Sequence, residues 1–156
     1  MTVDAVGGVE AAIAAFAAGE PVMVFDSAFR ECETDLLWPA TAATPEVMRR
    51  LRQDCGGLLF LAIGDEIGQL FDLPWLQDIH THPALVADNP VLAHLVTNDL
   101  QYDTRSAFTL SVNHRDTYTG ITDRDRSLTT RRFGELAGEL LRSEERRVGK
   151  ECRSRW

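Results

Sequence analysis

The apolar residues of this chain come in short runs, and none approaches the roughly 20 uncharged residues a bilayer-spanning helix needs. Pro21 to Asp26 (PVMVFD), Leu58 to Ile63 and Ser106 to Asn113 (SAFTLSVN) are each six to eight residues long. Runs of that length suit buried or half-buried strands, and Leu36 to Ala40 has the same character. Helical signals occupy the gaps. Val9 to Ala18 is alanine-rich with apolar residues at helical spacing, closed by Gly19 in a C-cap position. Thr44-Pro45 supplies an N-cap and a first-turn proline for a helix to about Asp54, where Gly56-Gly57 breaks it. Gly64 to Asp72 reads as a short helix stopped near Pro74. Thr122 with Asp125 three residues later is capping-box-like and starts a helix through Leu141. Between Trp75 and Asn98 the signals are weak beyond a helical turn at Val91 to Val96. Strands alternating with helices, with no repeat or internal linker, imply one α/β or α+β domain.

Charge divides the chain unevenly. Met1 to Leu141 holds ten arginines, no lysine and 21 carboxylates, a charge of −11. Arg142 to Trp156 holds five arginines, the chain's one lysine and three glutamates, a charge of +3. An acidic, lysine-free body excludes nucleic acid as a partner, because phosphate binding needs clustered basic side chains. The bias is that of proteins from salt-loving cytoplasms, where salt screens the self-repulsion of an acidic surface. No basic flank precedes an apolar core at the N-terminus, so no signal peptide is read there. The expectation is a cytoplasmic protein that meets no membrane.

The final segment, RSEERRVGKECRSRW, is identical to the in-frame translation of a common short-read sequencing adapter. The expectation is that residues 142–156 are an artefactual tail and that the natural sequence stops at Leu141 or Arg142. Lys150, Cys152 and Trp156 then carry no function. The two remaining cysteines, Cys32 and Cys55, have no C-x-x-C spacing, so they are read as reduced thiols rather than a disulfide or a zinc site.

The densest polar constellation follows the first apolar run. Asp26, Glu31, Glu33 and Asp35 place four carboxylates within ten residues, with Arg30 among them. Loops leaving strands are where sites are built. Carboxylates held this close repel unless a cation neutralises them, and hard oxygen ligands suit Mg²⁺ or Mn²⁺ better than zinc.

RECETD at 30–35, preceded by PVMVFDS and followed by TPEVMRRLRQDCGGLL, resembles 3,4-dihydroxy-2-butanone 4-phosphate synthase, most closely its archaeal branch with D-x-x-x-R-E-G-E-T-D. FTLSVNHRDTYTGITDRDR, Phe108 to Arg126, resembles that family's F-T-V-S-V…TGI(S/T)…DR stretch. The resemblance is collinear from about Val9 to Leu141. It implies a compact α+β fold with a mixed sheet flanked by helices, working as a homodimer. It also implies a magnesium-dependent lyase that converts ribulose 5-phosphate into 3,4-dihydroxy-2-butanone 4-phosphate and formate for riboflavin synthesis.

Carried over by motif, Glu31 is the metal ligand and touches substrate, while Arg30 and Asp35 hold the sugar phosphate. Glu33 is base or water-mediated ligand, Asp26 positions the loop or a substrate hydroxyl, and Thr119 gives a hydroxyl to the phosphate or substrate pocket. Cys32 stands where the family has glycine, which puts a positive-φ loop conformation at stake. Phe60 stands where many members have cysteine.

The family's later R-x-P-G-H segment, with its second metal ligand, and its G-H-T-E segment are not in this sequence. His80 and His82 are read as exposed or packed imidazoles rather than replacements, and His114 as structural. The expectation is therefore a truncated and inactive chain whose uncovered apolar surface favours aggregation. The alternative is a non-catalytic acidic module that binds Mg²⁺ or a sugar phosphate. Whether a GTP cyclohydrolase II half follows in the parent protein is open.

Overall fold

The computed structural model describes residues 8–96 and 100–153, with the backbone alone for 145–153. The side chains of Lys150 and Cys152, and Trp156 as a whole, lie outside the described residues. The elements run α1 (Val9–Ala17), β1 (Val22–Phe25), β2 (Thr34–Leu37), α2 (Pro45–Asp54), α3 (Asp65–Leu70), α4 (Leu76–Thr81), α5 (Pro83–Asp88) and α6 (Asp123–Arg153). Short 3-10 turns occupy Ala40–Ala42 and Pro90–His94. The class is α+β, organised as two compact units: residues 1–61 with 113–156, and residues 62–112.

Local chemistry explains the boundaries of the first unit. Gly19 adopts φ +86° just past α1. Its N–H donates to Phe16 O and that of Glu20 to Ala15 O, at 3.0 and 2.9 Å. This is the Schellman arrangement that a C-terminal glycine makes inexpensive. Thr44 caps α2 by accepting from Val47 N at 3.3 Å, with Pro45 in the first turn. β1 and β2 pair antiparallel, Val22 opposite Leu37 and Val24 opposite Asp35.

The core of this unit lies around α2. Ala43, Val47 and Met48 are buried, and Trp38 and Leu51 pack against them. Trp38 Nε1 donates to Gly19 O at 3.0 Å, so its one polar atom is satisfied. α6 completes the seam. Ser127, with no exposed surface, donates to Ala43 O at 2.7 Å. A Cβ on Gly134 would stand 2.9 Å from Ala40 Cβ and 3.3 Å from Thr41 N, so only glycine lets α6 approach this closely. Arg52 and Asp123 join the two helices through bonds of 3.1 and 2.9 Å.

Four expectations change. β1 forms where expected but is not buried: Met23, Val24 and Phe25 are 76, 50 and 53% exposed. The sheet of the described residues is a two-stranded antiparallel hairpin rather than mixed. Leu58 to Ile63 and Ser106 to Asn113 have strand composition but no ladder, because a strand needs a partner as well as a propensity. α6, expected to end near Leu141, runs on to Arg153. Ser143 to Arg147 contains no proline or glycine, and Glu and Arg are good helix formers.

The second unit is helical, and the stretch with weak sequence signals supplies α4 and α5 there. Contacts within it tie α4 to the segment from Arg105 to Phe108. Leu76 N donates to Phe108 O at 2.9 Å. The Arg105 guanidinium lies 4.3 Å from the centre of the Trp75 ring and 3.8 Å from Asp78. Among the described residues, no helix is long and apolar enough to cross a membrane.

Candidate functional site

The acidic constellation is the loop of the β1–β2 hairpin, and Asp26 organises it. Asp26 Oδ1 accepts from the N–H groups of Ser27 and Glu33, and Oδ2 accepts from Glu31 N at 3.0 Å. Its own N–H donates to Glu33 O at 3.2 Å, which closes the base of the loop. Ser27 tightens the first turn by accepting from Phe29 N at 3.2 Å. Partial desolvation, the largest single influence, pushes the Asp26 carboxyl up. The Ser27, Glu31 and Glu33 N–H groups and the Glu31 carboxyl together outweigh it, so the group titrates below its ordinary value. Asp26 is thus an anion at neutral pH with both oxygens engaged, which suits holding the loop rather than moving protons.

The other residues of the loop stand outward. Arg30 Nε lies 3.4 Å from Glu31 Oε2, and both side chains are nearly half exposed. Glu33 and Asp35 are exposed, and Asp35 shares its side of the hairpin with Val24. Cys32 is exposed and takes φ +57°, a left-handed conformation that favours glycine. The backbone strain at that position is of the order of 1–2 kcal/mol.

Among the described residues, no group of three or more His, Cys, Asp or Glu side chains is set to hold an ion. The reason is visible in the loop: both Asp26 oxygens face backbone N–H groups, and a Glu31 oxygen faces Arg30. His80 lies in α4 and His82 just after it. His82 takes extended backbone as the residue between α4 and α5.

Thr119 sits on a second hydrogen-bonded feature, the turn before α6, and here the structure adds a residue that motif reading assigned only to capping. Asp125 is 6% exposed. Its N–H donates to Thr122 Oγ1 at 3.1 Å, the forward half of the expected capping box. Its carboxylate reaches further back. Oδ2 accepts from Thr119 N and Gly120 N at 3.0 Å each, and Oδ1 from Tyr118 N at 3.3 Å. The Thr119 hydroxyl donates to the same Oδ2 at 3.4 Å. The Thr119 N–H is the largest influence on the carboxyl and lowers it. Desolvation opposes that, while the Tyr118 and Gly120 N–H groups and the Thr122 hydroxyl add to the lowering. Gly120 takes φ +75°, and a Cβ there would meet Asn113 Oδ1 at 2.5 Å. His114 buttresses the same turn: its N–H donates to Thr129 Oγ1 at 3.0 Å, and its Nδ1 accepts from Asp116 N at 3.2 Å.

Comparison with known proteins places both features within one family. The model of the 3,4-dihydroxy-2-butanone 4-phosphate synthase family matches residues 10–146. The synthase of Methanothermobacter thermautotrophicus is 42% identical over 130 residues, covering 83% of this chain and 55% of that protein. That of Archaeoglobus fulgidus is 39% identical over 152 residues, with 93% and 60% covered. That of Methanosarcina mazei is 39% identical over 145 residues, with 92% and 58% covered. The chain belongs to the 3,4-dihydroxy-2-butanone 4-phosphate synthase family. It spans between about half and three fifths of the length of these relatives.

Proposed function

We propose that the protein to which this chain belongs is a lyase converting D-ribulose 5-phosphate into 3,4-dihydroxy-2-butanone 4-phosphate and formate, in riboflavin biosynthesis in the cytoplasm. The observation that carries this reading is the family match running through both the Asp26 loop and the Thr119 turn. Arg30 and Asp35 would hold the sugar phosphate, Arg30 by charge and Asp35 through a substrate hydroxyl. Glu33, exposed beside them, would remove the proton next to the carbonyl. Asp26 would keep the loop in shape, and Thr119 would face the substrate from the second turn. Glu31 is the ligand this chain would offer Mg²⁺ or Mn²⁺, whose contribution when bound is Lewis-acid polarisation of substrate oxygens. A homodimer is the proposed assembly. Residues 142–156 are proposed to be foreign to the natural protein, which an independent read of the gene across codon 141 decides.

The test is binding and turnover with the chain itself. Ribulose 5-phosphate should bind with saturable shifts of the Arg30, Glu31 and Asp35 amides in a ¹⁵N spectrum, and Arg30→Ala should weaken it. Formate release, followed enzymatically, would establish the lyase reading and remove the pure binding module. Binding without formate from this chain fits a loop that has only part of the catalytic machinery, or a pure binding module. An amide spectrum unmoved by ribulose 5-phosphate at millimolar concentration removes the sugar-phosphate reading altogether.

A further inference from the structure

We draw no further inference here: the strongest candidate, the exposed apolar surface presented by Val9, Ile13 and Phe16 of α1 with Met23 and Phe25 of β1, carries nothing because nothing in the structure shows what covers it.

Discussion

Two carboxylates in the first unit do the same local job under opposite conditions. Asp26 and Asp125 each gather three backbone N–H groups, and each holds a turn containing a residue at positive φ. Asp26 does so in an exposed loop, next to a strand whose apolar side chains are also exposed, and its left-handed residue is Cys32. Asp125 is buried beside the α2–α6 seam, and its left-handed residue is Gly120. The difference shows how the unit divides its tasks. Order is concentrated where Ala43, Met48 and Ser127 are buried, and the groups suited to chemistry stand where little covers them. Hydrogen bonds of equal number are then unequal in worth, because water competes for those of Asp26 and not for those of Asp125.

The largest expected effect tests that inequality directly. Asp125→Ala strands three N–H groups around a buried gap, whereas Asp26→Ala leaves its donors to water. In thermal unfolding the first should lower Tm by at least about twice as much as the second. Equal losses would mean that the Asp26 loop is as shielded as the turn. Next in size is Gly120→Ala. Asn113 can swing its amide away from the new methyl group, but the positive φ remains, at a cost of about 1–3 kcal/mol. Urea unfolding measures it, and a change under about half a kcal/mol would place the φ elsewhere than observed.

The counterpart at the other turn has the opposite sign. Cys32→Gly should stabilise the chain by about 0.5–1 kcal/mol, the relief of left-handed strain exceeding the added entropy of an unfolded glycine. A loss of stability would show the Cys32 side chain making a compensating contact.

The smallest effect is in acid. Both carboxyls titrate below the ordinary 3.8 when folded. Their contribution is therefore complete above that value and is lost as pH falls through the lower folded values. Stability followed from pH 6 to 2.5 should decline less steeply for Asp125→Asn than for wild type. Asp26→Asn should differ less, and added salt should shrink its difference first because it is exposed.

Much of the first unit was legible in sequence because its signals act within a few residues. Gly19 closing α1, Thr44-Pro45 opening α2 and Thr122 opening α6 all stand where their chemistry puts them, since a cap needs only the turn it adjoins. The family too was legible, because RECETD and the FTLSVNHRDTYTGITDRDR stretch are linear motifs. In the second unit α3 and the Pro90–His94 turn fall close to where the sequence puts them, whereas α4 and α5 were not legible among the prolines at 74, 83 and 90.

What the chain's order of residues determined, then, is where helices begin and end, which loop carries Arg30, Glu31, Glu33 and Asp35, and to which family these belong. Only the tertiary structure decided which apolar runs found a strand partner, how closely α6 could approach the Ala40–Ala42 turn at Gly134, and that the Asp125 side chain turns back to Thr119 instead of only capping α6. The physical reason is range. Capping is settled by neighbours along the chain, whereas a ladder, a helix crossing or a buried carboxylate depends on groups that folding alone brings within 3 Å or so.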